Sequence, residues 1–393
     1  MKLRTLVIGL ATGAIAGYAA IRSIEALVVA RNEPRALAHA NGNASTYGRT
    51  RRTLAVSDVI RSTAAGLAFA YGPLGTTAAR VVSPLPRWAR PPAFAALASV
   101  AGAVAELPVS IAEGFRIEHR YGLSEQSLKS YTGDWAKSTA IEAVVTALLA
   151  ALAATLVRRF PRSWPFVATA AAFPLYVLAN VIVPVYILPL FNTFERLEGP
   201  LEVRLRALAS RFGVGDAEIL RMDMSRQTRK ANAFVAGIAR THRIVLGDTL
   251  IDNFSPDEIE FVIAHELGHY VTRDTWRLIV AAEVATGLLL AAVALVDRSA
   301  DEEETLRIAR IAALLGAGTQ ILRPALAGFS RSREWAADRF ALAATNDAQA
   351  GAAAFRRLRD QNLAEEDVPG WYEFFFGTHP SLGKRIAELE TAS

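Results

Sequence analysis

Through the first half of the chain, hydrophobic positions neither alternate nor recur every third or fourth place. They run together in uncharged blocks. Residues 5–21 and 62–79 carry no charge; 91–112 holds only Glu106, and 138–157 only Glu142. A longer uncharged block, 163–194, is punctuated by Pro165, Pro174, Pro184 and Pro189. Two more follow later: 278–296 with Glu283 alone, and 308–329 with Arg310 and Arg323. Blocks near twenty residues match a bilayer's hydrocarbon thickness, so the pattern predicts about seven membrane spans. So many long apolar blocks in one chain argue against buried core helices of a soluble protein. The first block lacks a small-residue cleavage site and reads as a retained helix. The second is rich in Gly and Thr and is the weakest of the set. Carboxylates inside spans are costly in lipid, so Glu106, Glu142 and Glu283 should face protein or a water-filled cavity.

Between the blocks the pattern changes. "LEVRLRALASRF" (201–212) has helical periodicity, and "ANAFVAGIARTHRIVLGDTLI" (231–251) reads as a hairpin of two short strands. "SPDEIEFVIAHELGHY" (255–270) begins with an explicit helix start. Ser255 can cap it, Pro256 fits its first position, and Glu258 completes a capping box. "DEEE" at 301–304 reads as a solvated loop. The expected organisation is a transmembrane region over 1–194 and the first part of a catalytic domain over 195–277. Two further spans follow over 278–329, and the rest of the catalytic domain over 330–393. The fold class is mainly α: a multi-pass helical membrane protein with a zincin-like α+β catalytic part.

Composition sharpens this. With 52% hydrophobic residues, 21% charged and a mean hydropathy of +0.24, the chain is a membrane protein with a substantial polar part. A net charge of +5 with scattered arginines gives no support for nucleic-acid binding. There is no cysteine, so any metal must be held by His, Asp or Glu. Arg31, Arg35, Arg49, Arg51 and Arg52 favour a cytoplasmic loop by the positive-inside rule, which with seven spans leans the catalytic part to the same side. Arg80, Arg87, Arg90, Arg158, Arg159 and Arg162 pull the other way. The expected location is a bacterial plasma membrane.

Inside the capped helix lies "HELGH". His265 and His269, four apart, project from nearly one direction and can present two imidazoles to one ion. Glu266 is rotated enough to reach the water that ion polarises, as a general base must. Gly268 leaves the surface open to another segment. A catalytic zinc needs a third protein ligand. The short-spacing zincins supply a third His, which the continuation "YVTRDT" lacks. The best alternative is "SREWAADRFAL" (332–342), where Glu334 can be the ligand and Asp338, four residues on, can accept a hydrogen bond from a ligand histidine.

These two segments together resemble the CAAX prenyl protease type 1 family of integral-membrane zinc metalloproteases. "FRIEHRYGLSEQSLKSYTGDWAK" (115–137), "PLFNTFERLEGPLEVRLRALA" (189–209), the 231–251 hairpin and "HPSLGKRIAEL" (379–389) are similar to further family motifs. The resemblance implies a zinc endopeptidase with His265, His269 and Glu334 as ligands, Glu266 as base and Asp338 behind a ligand. Asn232 would bind substrate backbone, and His379 and Arg385 would face or support the oxyanion. It also implies a peptide or protein substrate, prenylated or membrane-associated. Ala231 and Phe234 depart from Ser and Tyr, common in the family at these positions, which bears on substrate more than on chemistry. His39, His119 and His242 have no assigned role. Two rivals stand beside this reading. A heat-shock-type membrane quality-control protease has the same chemistry but usually fewer spans, and the 115–137 segment argues against it. A non-enzymatic metal sensor is disfavoured because every catalytic position is filled.

Overall fold

The computed structural model describes residues 40–237, 242–297 and 303–392. The expected span at 5–21, His39 and the first two residues of "DEEE" lie outside them.

Helix α1 (Ala40–Tyr71) is followed by the short α2 (Pro73–Val82). The apolar block 62–79 is therefore not one continuous span. Gly72 adopts an extended backbone there, and Pro73, which has no N–H to donate, starts a new helix. Then come α3 (Arg90–Ser110), continued through a π-helical turn to Arg120, α4 (Leu128–Arg159) and α5 (Trp164–Ile182). Pro184, lacking an N–H, ends the α-helical ladder of α5, and a π-helical turn over Val183–Ile187 takes over. Later follow α8 (Asp274–Val296) and the continuous α9 (Glu304–Thr345). Among the described residues five helical stretches are long and apolar enough to cross a membrane: Arg90–Arg120, Leu128–Arg159, Trp164–Leu190, Asp274–Val296 and Glu304–Thr345. Large apolar side chains on them stay uncovered by protein, among them Leu148, Phe166, Leu288 and Ile321. In water such surface would be a liability; in lipid it is the expected exterior.

The helices close on one another at the bundle end far from the histidines. There Ala150, Ala154 and Val157 of α4 meet Trp164, Leu290, Val293, Ile308 and Ile311. Glu304, expected in a solvated loop, instead begins α9 and is mostly buried. Its carboxylate sits 3.3 Å from Arg158 and 3.4 Å from Arg87, and those pairs offset its desolvation. Of the intramembrane carboxylates, Glu106 lies 3.3 Å from the buried Arg61 of α1, Glu283 has one oxygen fully buried, and Glu142 is exposed.

The polar part is a four-stranded sheet with helices. Strands β1 (Phe194–Arg196), β2 (Glu218–Met222), β3 (Ala233–Ala236) and β4 (Arg243–Gly247) lie in the order β1-β2-β4-β3. β3 and β4 form the expected hairpin, whose tip at 238–241 lies outside the described residues. β1 and β2 have no alternation long enough to read from sequence. β1 pairs antiparallel with β2, and β2 runs parallel to β4. Helix α6 (Pro200–Arg211) buries Leu205 and Leu208. At the centre runs α7 (Pro256–Val271), capped as its sequence predicts: Ser255 Oγ accepts from the Glu258 N–H, and the Ser255 N–H donates to the Glu258 carboxylate. Ile259, Phe261, Ile263 and Leu267 of α7 are fully buried, in one core with Ile244, Leu246, Ala341, Phe355 and Ile386. Phe355 belongs to α10 (Ala348–Gln361), and α11 (Gly370–Phe376) and α12 (Leu382–Thr391) complete the chain.

One close approach fixes the rest. A Cβ on Gly268 of α7 would stand 3.1 Å from the Cα of Ala337 and 3.1 Å from the Phe340 ring, both on α9. Any larger residue would have to push these two helices apart by a few tenths of an ångström. Replacing Gly268 by Val should cost about 1–3 kcal/mol through forced displacement of α9. Thermal unfolding of the detergent-solubilised protein measures it, and an unchanged melting temperature would show that the contact is slack.

Candidate metal centre

Three donors converge across that approach. One ligand atom each from His265, His269 and Glu334 lies within 4.8 Å of the others. His265 Nε2 is 3.3 Å from Glu334 Oε2, and His269 Nε2 is 3.4 Å from Glu334 Oε1. Metal–ligand distances of about 2.0–2.1 Å at tetrahedral angles separate neighbouring donors by about 3.3 Å, so the spacing suits one small cation. Glu334 Oε2 is fully buried yet accepts no hydrogen bond. An orphaned buried carboxylate oxygen is costly, and a cation between the three side chains would satisfy it.

Each histidine is held from behind through its other nitrogen. His265 Nδ1 lies 2.8 Å from Asp338 Oδ1, which makes Nδ1 the donor and turns Nε2 toward Glu334. Burial favours the neutral form of this imidazole, but the carboxylates of Asp338 and Glu334 on either side of it outweigh that and push its pKa up to about 9. The cage attracts positive charge, which a divalent ion supplies with both histidines neutral. Arg385 grips Asp338 with two hydrogen bonds of 2.8 and 2.5 Å, and its guanidinium carbon lies over the Phe355 ring, 4.0 Å from its centre. Arg385 is itself buried, so its contacts brace Asp338 from within the core.

The second histidine has a partner that the sequence reading missed. His269 Nδ1 lies 3.0 Å from Asp274 Oδ2, and Asp274 is 1% exposed. Its other oxygen faces Arg333 Nε at 3.0 Å and Arg277 Nη1 at 3.5 Å. Arg333 adjoins Glu334, so one carboxylate ties His269 of α7 to the helix bearing the third donor. Five residues after His269, Asp274 does not share its helical face. The backbone folds it back through Arg273, whose φ of 55 is left-handed and unusual for a residue with a side chain. An acidic residue at a helix start is common enough that spacing alone gave no signal.

Glu266 is partly exposed, one residue round the helix from His265. Desolvation is the main cause raising its pKa, against the pull of both histidines. His379 stands over the site with its side chain 61% exposed and Nε2 3.3 Å from Glu334 Oε1. Asn232 is exposed immediately before edge strand β3, with its carbonyl accepting from the Gly247 N–H at 2.9 Å. His119 and His242 lie elsewhere: His119 bonds the Phe115 carbonyl, and His242 packs edge-on against Tyr270. A surface groove of about 940 Å³, lined by Arg229, Arg356 and Arg357 among others, contains no residue of the metal centre.

A helix bearing two histidines and a glutamate, a third donor on a membrane-rooted helix and a wall of apolar spans together define a membrane metallopeptidase. Residues 195–393 match the model of peptidase family M48, and residues 38–193 match the model described as the CAAX prenyl protease N-terminal, five membrane helices. The chain belongs to peptidase family M48, and it is a multi-pass membrane metalloendopeptidase of the CAAX prenyl protease 1 type. It is 26% identical to CAAX prenyl protease 1 of Saccharomyces cerevisiae, covering 76% of this chain and 72% of that one. Identity to the CAAX prenyl protease 1 homolog of Oryza sativa is 29%, covering 76% and 73%. An uncharacterized metalloprotease of Bacillus subtilis is 27% identical, covering 70% and 68%. The fold matches the crystal structure of S. mikatae Ste24p with a TM-score of 0.81 at 21% identity, over 98% of this chain and 99% of that one.

The Asp274 contact yields a direct test. Asp274→Ala should weaken metal affinity about 10- to 100-fold, as expected on losing a group that orients a ligand histidine. Competition with a chromogenic chelator measures it, with Asp274→Asn expected to lose less because it can still accept from Nδ1–H. Wild-type affinity in Asp274→Ala would remove the residue from the centre.

Proposed function

We propose that the metal is a single zinc ion held by His265, His269 and Glu334, and that the enzyme cuts prenylated peptides or proteins at the membrane. The carrying observation is the pair of 3.3 and 3.4 Å approaches that join both histidines to one glutamate with an unsatisfied oxygen. A zinc ion held by these three side chains would supply Lewis acidity, polarising the scissile carbonyl and making the attacking water more acidic. The protein's own groups do the rest. Glu266 takes a proton from the attacking water; as the new C–O bond forms and the C–N bond breaks, it returns that proton to the leaving amine. Asp338 and Asp274 hold the two imidazoles in the tautomer that offers Nε2, and Arg385 keeps Asp338 in place. His379, exposed beside Glu334, faces the developing oxyanion. Asn232 holds the substrate backbone as it enters along β3.

The prenylated substrate is supported by the names of the relatives and by the uncovered apolar flanks of the spans. We place the catalytic part on the cytoplasmic side of a bacterial plasma membrane. Arg49, Arg51 and Arg52 sit at the same end of the bundle as the metal centre, where Arg52 pairs with Glu365. The match of residues 38–193 to a five-helix N-terminal model speaks against a heat-shock-type quality-control protease.

Glu266→Gln separates the roles. Glutamine keeps size and polarity but takes no proton, so the purified variant should retain its zinc while turnover falls at least about 10²- to 10⁴-fold. Cleavage assays run beside metal analysis decide it. Near wild-type turnover with zinc bound would transfer proton transfer to another group. Loss of zinc would make Glu266 a ligand.

A further inference from the structure

The three residues that lead to Asn232 are fastened one after another. The Arg229 N–H donates to the Leu123 carbonyl at 2.8 Å, and the Arg229 carbonyl accepts from Gln361 Nε2 at 2.8 Å. The Lys230 carbonyl accepts from Thr249 Oγ1, again at 2.8 Å. Ala231 is held twice by one side chain. Its N–H donates to Asn362 Oδ1 at 2.8 Å, and its carbonyl accepts from Asn362 Nδ2 at 3.1 Å. Only one orientation of the amide satisfies both bonds. The Asn232 carbonyl accepts from the Gly247 N–H of β4, so by strand alternation the bonding groups of Ala231 face away from β4. Asn362 meets them there as a neighbouring strand would.

Asn362 is itself firmly placed. Its N–H continues the ladder of α10 to the Leu358 carbonyl at 3.0 Å. Leu363 then turns the chain with a left-handed φ of 49, a conformation costly for leucine. It is kept there by packing against the small core of Tyr47, Leu54, Ile117 and Leu123. We infer that Asn362 is a positioning residue for substrate binding: by clamping Ala231 it aims Asn232. The inference rests on the role proposed for Asn232 above. Ala231 is buried and Asn232 is exposed, so the Asn232 side chain takes its direction from the backbone on either side. Without the clamp, both peptide units of Ala231 lose their partners and are free to rotate. Asn232 then spreads over several directions, and substrate bears the cost of ordering it. The bonds at Arg229 and Lys230 remain and keep the chain on its course. A contact made to substrate before and during the reaction alike shows in KM and not in kcat.

The test is a double-mutant cycle on the full-length, zinc-loaded enzyme in detergent, with a fluorogenic peptide carrying a farnesylated cysteine. Asn362→Ala should raise KM about 3- to 10-fold, the loss expected for one neutral hydrogen bond, with kcat and zinc content near wild type. Asn232→Ala should raise KM by a similar factor, and adding Asn362→Ala to it should raise KM no further. Asn362→Asp keeps the shape but sets an oxygen against the Ala231 carbonyl. It should raise KM likewise, and it serves if the alanine variant is unstable. Factors that multiply in the double variant overturn the inference, because Asn362 would then act independently of Asn232. An unchanged KM in both Asn362 variants overturns it, as does a fall in kcat or zinc content, which marks a purely structural role. If Asn232→Ala alone leaves KM unchanged, the role proposed for Asn232 fails first and takes the inference with it.

Discussion

The near-contact of α7 and α9 at Gly268 and Ala337 sets everything else. Only with the two helices this close can one carboxylate on α9 reach two imidazoles on α7, with Glu334 Oε2 facing His265 and Oε1 facing His269. The same approach lines up Asp338 and Arg333, four residues after Glu334 and one before it, with the outer nitrogens of the histidine cage. Asp338 reaches His265 directly, and Arg333 reaches His269 through Asp274. Move α9 outward by the width of a methyl group and both supports go with it.

That geometry also explains why a soluble-looking site belongs to a membrane protein. α9 is 42 residues long, roughly 60 Å at the usual helical rise, and unbroken. It starts among Arg87 and Arg158 at the far end of the bundle and ends beside the metal centre. Two of the structure's apolar cores therefore share one rod. α8 does the reciprocal job, since its first residue, Asp274, holds His269 of the candidate centre while its remaining length is apolar enough to span lipid. The position of the site relative to the bilayer is built into two helices and does not depend on a flexible linker.

Much of this was legible in sequence because the informative features are local or chemically scarce. The capping box at Ser255 fixed where α7 begins, and hence that His265 and His269 share a face. With no cysteine and only six histidines, few residues could complete a metal site, and "SREWAADRFAL" stood out. The apolar blocks read as spans because length in a bilayer is a strong constraint. What escaped depends on the chain folding back on itself. Asp274 returns to His269 only through the left-handed Arg273; Glu304 is buried only because two distant arginines converge on it. β1 has three residues, too few for alternation to register. The block at 62–79 was apolar enough for a span, but Gly72 followed by Pro73 interrupts its helix.

The central claim is that α7 and α9 jointly hold one zinc ion. X-ray diffraction at the zinc absorption edge, on crystals of the full-length protein, tests it most directly. The account predicts a single anomalous peak within about 2.0–2.2 Å of His265 Nε2, His269 Nε2 and a Glu334 oxygen. A peak lacking Glu334, or lying on Asp338 or Asp274 instead, would contradict it, as would zinc-loaded crystals with no peak between the two helices.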